Sequence, residues 1–291
     1  MSDDSLVHVR SWPSLEQPIL VICMEGWIDA GLAASAAVAH LLAAMPSEVI
    51  ATFDADELID FRARRPTLRI VNGVDEEFRW PEITLHAATN RTGRTVLVLS
   101  GPEPDMRWHR FGAEVVALAG RLGVEQVYGL GAFPAPVPHT RPVRLIGTST
   151  SAEHAAAVGF LTSSIEVPSG VQGMLEVAFG SSKVPAVGLW ARVPHYVAAM
   201  PYPAASAALL DGLARMASIE LDTSALHAAA TATGTQIAQL IAGSEEHTAL
   251  VRQLEQQHDS EMPSQSTDFG DLPSGDEIAA ELERFLRGEQ Q

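Results

Sequence analysis

At 291 residues, with 46% apolar and 19% charged side chains, the chain can bury a sizeable core, which excludes an intrinsically disordered protein. Its formal net charge of −17 opposes contact with phosphate backbones and anionic lipids, so we expect neither nucleic acid nor a membrane as a partner. Residues 1–4 are acidic, and the longest apolar segment, 28–45, contains Asp29 and His40, so the sequence predicts no secretion signal and no membrane span. We therefore expect a cytoplasmic protein.

The first predicted elements are a strand, a glycine-bounded turn and a helix. Residues 18–24 form a short apolar run that ends before Gly26, and residues 32–45 are mainly helix formers. A second strand over 48–53 completes a βαβ unit, whose two strands should run parallel. The single cysteine, Cys23, lies in the first run, and we interpret it as buried packing rather than as a catalytic thiol.

A hairpin is predicted next. Residues 67–71 and 78–87 are strand-like runs on either side of Asn72-Gly73, a pair that is typical of tight hairpin turns. Three acidic residues, 75–77, follow the turn and favour a solvated position. We expect this hairpin to be added to the side of the main sheet.

From residue 95 onward, predicted strands and helices alternate. The strands are expected over 95–100, 126–130, 143–148 and 184–193. Between them lie a helix with one apolar face and two further helices; the face consists of Phe111, Val115, Leu118 and Leu122, and the other two helices cover 152–160 and 170–179. This alternation predicts a mostly parallel sheet between two helical layers, that is, a three-layer α/β/α sandwich.

Composition divides the chain into four predicted parts. These are the α/β core over 1–203, a helical C-terminal subdomain over 204–258, a linker over 259–275 and a terminal amphipathic helix over 276–291. Ser274 and Glu277 have the spacing of a capping box, and an apolar stripe of Ile278, Leu282 and Phe285 follows. The terminal helix is expected to pack either on its own domain or on another subunit.

Polar clusters follow three of the predicted strands, where α/β proteins hold ligands. The turn over 25–31 lacks the spacing of a phosphate-binding loop, and Glu25 and Asp29 would repel phosphate, so we interpret Asp29 as a helix cap. In the second cluster, 101–110, Arg107 and Arg110 either bind a polar ligand or, as we favour, pair with Glu103 and Asp105.

The third cluster, 136–142, should reach the same sheet edge as the second, and its His139 could act as an acid or base, or as a structural hydrogen-bonding residue. His195 follows the last strand, where Tyr196, Met200 and Tyr202 could line a cleft or, as we favour, a subunit contact. The candidate ligand-binding residues are therefore Asp29, Glu103, Asp105, Arg107, His139, Arg141 and His195. Metal-binding and serine-hydrolase spacings do not occur in the sequence, so we predict no catalytic residue, no metal site and no cofactor.

Five short motifs, in this order and at this spacing, resemble the proteasome assembly chaperone 2 family in its actinobacterial form. They are 26–31, 101–105 with Arg107-Trp108, 138–142, 168–170 with Gly173, and 193–196. The resemblance covers about residues 5 to 260. It implies a phosphorylase-like α/β/α sandwich that assembles into homo-oligomers, with the trimer as the expected form, and it implies no established catalytic residues.

Relatives in eukaryotes and archaea act as assembly chaperones for the proteasome α-ring, partly through a C-terminal tail that this chain does not have at 288–291. The resemblance therefore implies a non-catalytic, self-associating protein that binds other proteins, with proteasome subunits among the possible partners. The alternative is a small-molecule-binding protein or an enzyme related in fold to nucleoside phosphorylases. A carboxylate-amine ligase that uses ATP is disfavoured because a phosphate loop is missing.

Overall fold

The protein is described by a computed structural model over residues 5–26, 28–90, 93–159 and 164–260. Ten strands and eight α-helices are present in these ranges. The strands are β1 (Val7–Val9), β2 (Ile19–Glu25), β3 (Ser47–Phe53), β4 (Thr67–Val71), β5 (Val74–Arg79), β6 (Ile83–Thr89), β7 (Thr95–Pro102), β8 (Gln126–Ala135), β9 (Leu145–Ser149) and β10 (Ala186–Pro194). The helices are α1 (Ala33–Ala44), α2 (Ala55–Leu58), α3 (Trp108–Arg121), α4 (Ala152–Val158), α5 (Val171–Ser181), α6 (Pro203–Ala217), α7 (Ser224–Ala242) and α8 (Glu245–Ser260).

Eight strands form one sheet in the order β1-β3-β6-β7-β2-β8-β10-β9, and β4 and β5 form a separate two-stranded sheet. The four central strands, β7, β2, β8 and β10, are parallel. Every other neighbouring pair in the large sheet is antiparallel. The expectation of a mostly parallel sheet was therefore wrong outside the centre. The strands of the first βαβ unit, β2 and β3, do run in the same direction, but β6 and β7 lie between them.

Helices cover both faces of this sheet, as the three-layer prediction required. Along β2, Ile19 and Val21 pack on the face that holds α1 and α6, whereas Leu20 and Ile22 pack on the face that holds α3 and α5. A strand that is buried on both faces needs a continuous apolar sequence, which explains the run at 18–24. Cys23 belongs to the first face, and burial raises the pKa of its thiol, so it is buried packing as predicted.

The predicted hairpin is present but is not part of the main sheet. We call residues 61–81, which contain β4 and β5, the arm. Asn72 and Gly73 both have positive φ, 51° and 80°, as a tight hairpin turn requires. The prediction of one strand over 78–87 was wrong, because β5 ends at Arg79 and β6 begins at Ile83. Pro81 lies in this gap, and a proline cannot donate to a strand ladder.

The C-terminal helices differ in how deeply they are buried. Helix α6 packs in the core against α1, with Leu209, Leu210 and Leu213 buried. Among the residues of α7 only Ile237 is buried, and α8 buries Val251, Leu254 and His258. Helix α8 continues to Ser260, and the rest of the predicted linker and the predicted terminal helix lie outside the described residues. Within the described ranges, no helix combines the length and the apolar character that crossing a bilayer requires.

Candidate functional site

Glu103 lies at the carboxyl end of β7, beside the end of β2. Its backbone N–H donates to the carbonyl oxygen of Glu25, 2.7 Å away. Its carboxylate Oε1 accepts the backbone N–H of Val171, the first residue of α5. The side chain is only 9% exposed, so a buried acceptor satisfies a helix N-terminus, where the helix dipole favours a carboxylate. Glu103 therefore links two sheet strands to α5.

Two glycines make room for this carboxylate. A Cβ atom at Gly26 would lie 2.5 Å from Oε2 of Glu103, and a Cβ atom at Gly170 would lie 2.9 Å from Oε1. Both distances are too short for a real side chain. The glycines of two separate sequence motifs thus serve one structural purpose, the close approach of Glu103.

Asp29 caps helix α1, as predicted. Its Oδ1 accepts the backbone N–H of Ala34 at 2.8 Å, and its Oδ2 accepts both the backbone N–H and the hydroxyl of Ser35, at 3.0 and 2.6 Å. The chain also forms an isolated parallel bridge between Asp29 and Ala132. The carboxylate is therefore occupied by the first turn of α1.

Asp105 contacts the segment that follows β3. Its Oδ2 accepts the backbone N–H of Asp60 at 2.8 Å, and its Oδ1 lies 3.3 Å from Nε of Arg64. Its backbone N–H donates to the carbonyl oxygen of Leu58. Asp105 thus fastens the loop after β7 to the residues that lead into the arm.

The predicted pairing of Arg107 and Arg110 with Glu103 and Asp105 was wrong. Arg107 forms an ion pair with Glu57 of α2, and Arg110 pairs with Glu114 at 3.2 Å. Arg110 lies on α3, where the residue one turn later is its natural neighbour. Tertiary contacts between α2 and the loop, which a local pattern does not reveal, determine the partner of Arg107.

A histidine–tyrosine cluster joins the loop after β8 to the end of β10. The hydroxyl oxygen of Tyr196 accepts the backbone N–H of His139 at 2.8 Å and lies 2.9 Å from its Nδ1. Burial lowers the pKa of His139, which favours the neutral imidazole, and Nδ1 of that ring can accept a hydrogen bond from the tyrosine hydroxyl. The ring of exposed His195 stands edge-on to Tyr196, with centroids 5.3 Å apart.

The predicted subunit contact after His195 was wrong for Tyr202. This residue is 3% exposed and packs in the core of its own chain. Its backbone N–H donates to the carbonyl oxygen of Gly31 at 2.9 Å, and the N–H of Gly31 donates to Ala198 at 2.7 Å. The segment after β10 is therefore fixed to the turn before α1.

Arg141 binds helix α8. Its Nε and Nη2 reach the two carboxylate oxygens of Asp259 at 2.8 and 2.7 Å, and its Nη1 lies 3.1 Å from Oε1 of Glu255. Thr140 also donates its hydroxyl proton to Glu255. These contacts hold the last turns of α8 against the loop after β8.

Sequence reasoning missed Glu176, which lies on the buried side of α5 and is 6% exposed. Burial raises the pKa of its carboxyl to about 7, although the hydroxyl of Thr148, which donates to Oε2 at 2.8 Å, and the amide of Gln172 act in the opposite direction. The spacing of Gln172 and Glu176 is the local signal in the sequence, and the rest of the environment is tertiary. Gln172 and Glu176 are one turn apart, and Gly129 and Gly188 in the facing strands leave space for their side chains.

The seven candidate residues fall into three places. Asp29 and Glu103 cap helices, Asp105 and Arg107 contact residues 57–64, and His139, Arg141 and His195 lie around Tyr196 and α8. An apolar cavity of about 10 Å³ lies elsewhere, in the core beneath α3. In the part of the chain that the structure describes, no three His, Cys, Asp or Glu side chains are grouped as a metal site requires.

Comparisons with known proteins place this architecture. The model of the PAC2 family matches residues 23–241. A protein of unknown function from Corynebacterium glutamicum is similar in structure, with a TM-score of 0.85 and 34% identity over 89% of this chain and 99% of its own. A proteasome-assembly chaperone homologue from Mycobacterium tuberculosis has a TM-score of 0.75 and 37% identity, over 80% of this chain and 99% of its own. A PAC2 family protein from Streptomyces avermitilis has a TM-score of 0.73 and 38% identity, over 80% of this chain and 99% of its own. A search of curated proteins finds no match.

Proposed function

Because the chain belongs to the PAC2 family, we propose that it is a non-catalytic, self-associating protein that binds other proteins in the manner of an assembly chaperone. One observation carries this proposal. Asp29, Glu103 and Arg107 lie at the carboxyl ends of the strands, where an α/β enzyme would present its reacting groups, and they are occupied by helix-cap hydrogen bonds and an ion pair. Glu103, the most buried of them, is used to hold α5 on the sheet.

Proteasome subunits are the partner that we propose, and the homologue from Mycobacterium tuberculosis supports this choice. The encounter would take place in the cytoplasm. The protein would act as a homo-oligomer, for which we expect three subunits.

Native mass spectrometry tests the partner directly. Purified protein mixed with unassembled proteasome α subunits should give the mass of a complex. An unrelated protein of similar size and charge serves as the control, since a chain with a net charge of −17 attracts basic surfaces non-specifically. If neither α subunits nor, in a parallel mixture, β subunits form a complex beyond that control, the proposed partner is wrong.

A second function, the binding of a small molecule, is favoured by the neutral imidazole of His139 against the hydroxyl of Tyr196. Nucleosides, nucleotides and carboxylates can be screened by thermal shift, because a ligand at a hundred times its dissociation constant stabilises a fold by about 2.7 kcal/mol. A shift that is present in the wild type and lost in Tyr196→Phe would support this function. An unchanged melting temperature for all three classes would count against it.

A further inference from the structure

The arm exposes more large apolar side chains than any other short segment among the described residues. No residue of β4 or β5 is buried. Five large side chains between 68 and 80 are between 38% and 63% exposed; they are Leu68, Ile70, Val74, Phe78 and Trp80. A two-stranded hairpin is at best marginally stable alone in water. The arm therefore has an exposed apolar surface that its own strands do not bury.

The two faces of the arm differ in character. Leu68 lies opposite Phe78 in the strand register, so both point to the same face, and Ile70, two residues along β4, shares it. Asp75 lies opposite Ile70 and places one carboxylate at the end of this face near the turn. Phe78 also contacts Trp80, with ring centroids 5.0 Å apart, and Trp80 contacts Phe61 at the base of the arm. These contacts extend one apolar strip along the arm.

The opposite face carries Val74 near the turn, and its other long side chains are charges that pair with one another. Arg69 lies opposite Glu77 in the register and pairs with Glu76 at 2.9 Å, and Glu77 pairs with Arg79 at 2.7 Å. Exposed charges of this kind are already solvated and gain little from pairing, so this face does not need a partner. The apolar face is consequently the one that needs a partner.

The charge of the arm indicates which partner fits. Residues 61–81 contain five of the 19 cationic residues of the chain and three of its 36 acidic residues. The arm therefore has a formal net charge of +2, and the other 270 residues have a net charge of −19. A cationic arm with an apolar face is therefore complementary in charge to the body of this same protein.

We propose that the arm is the self-association element, and that its apolar face packs on the body of a second copy of this chain. The inference rests on the proposed self-association and names its interface. The arm and its acceptor are different surfaces, so each copy can offer its arm to the next in a head-to-tail contact, and the assembly can close into a ring, as a trimer would.

The test compares two double variants of the full chain, Ile70→Thr with Phe78→Thr on the apolar face, and Glu77→Thr with Arg79→Thr on the charged face. Threonine keeps the β-propensity of the strands, and the second variant keeps the net charge of the arm. Light scattering and sedimentation at several concentrations give the mass. The first variant should be monomeric, with a dissociation constant raised at least about 100-fold, and the second should remain oligomeric like the wild type. Unchanged circular dichroism shows that both are folded.

The outcomes separate the two proposals. A monomeric wild type would overturn self-association itself. An oligomeric wild type together with an oligomeric Ile70→Thr, Phe78→Thr variant would overturn the arm interface alone. A third variant of the full chain, Leu282→Ser with Phe285→Ser, should keep its oligomeric mass. If it becomes monomeric instead, the arm packs on residues 261–291 of a neighbour, and the choice of the body as its acceptor is wrong.

Discussion

The carboxylate of Glu103 accepts the backbone N–H of Val171, although 68 residues separate them in the chain. Glu103→Ala removes this acceptor and leaves a buried helix N-terminus without a partner. We expect the free energy of unfolding to fall by about 2 kcal/mol, measured by urea denaturation. Glu125→Ala, at an exposed glutamate, should change it by less than about 0.5 kcal/mol. Equal stabilities of the two variants would show that Glu103 is not the cap.

Asp29 should behave as a helix cap in stability measurements. Asp29→Ala deprives the first turn of α1 of the acceptor for three hydrogen bonds. The expected loss is about 1 to 2 kcal/mol of unfolding free energy, measured by denaturant titration. Asp29→Asn retains one side-chain oxygen and should lose less. A variant Asp29→Ala with wild-type stability would argue that the carboxylate serves a ligand rather than the helix.

Glu176 makes the stability of the protein depend on pH. Burial raises the pKa of its carboxyl from 4.5 to about 7, so between these values the folded chain keeps a proton that the unfolded chain releases. Its contribution to stability is therefore complete below pH 4.5 and is lost as the pH rises through 7. Over this window the unfolding free energy of the wild type should fall relative to that of Glu176→Gln by about 3 kcal/mol.

Urea denaturation at intervals from pH 4.5 to 8 measures this difference. Glu166→Gln, at an exposed glutamate, is the matched control, and its difference from the wild type should not change with pH. A constant difference for Glu176→Gln as well would mean that folding does not raise the pKa of Glu176.

Arg141 should control the local opening of α8. Arg141→Gln removes the contacts with Asp259 and Glu255, and we expect amide hydrogens of Glu245–Ser260 to exchange roughly two- to ten-fold faster. Mass spectrometry of the corresponding peptides measures the exchange, and added salt should reduce the difference because it screens exposed charges. Arg252→Gln, at an exposed position on the same helix, is the control. Equal exchange in the two variants would contradict a role of Arg141 in holding α8.

Local patterns in the sequence predicted most elements because each has a local cause. Buried strand β2 needs an apolar run, the Asn72-Gly73 turn needs two positive φ angles, and the apolar face of α3 repeats with the helical period. The sequence did not reveal that β6 enters the sheet between β3 and β7. That position depends on pairing between distant segments, which periodicity does not encode.

The candidate site was predictable in part. Asp29 could be interpreted as a cap because a cap and its helix are neighbours in sequence. The partners of Glu103 and Arg107, namely Val171 and Glu57, are remote, and no local rule selects them. Glu176 escaped attention because a single glutamate in an apolar helix is common, and its unusual environment arises only when α5 meets Thr148 of β9.

The burial of Cys23 gives the arm a practical reporter. The chain has no other cysteine, and a thiol that is 4% exposed with a raised pKa does not compete for maleimide dyes. A Val74→Cys substitution, at the exposed residue that follows the turn, would therefore place one fluorophore near the tip of the arm and keep both positive-φ residues. Copies labelled with donor and with acceptor dyes would transfer energy only within mixed assemblies, so the exchange of subunits can be followed in real time.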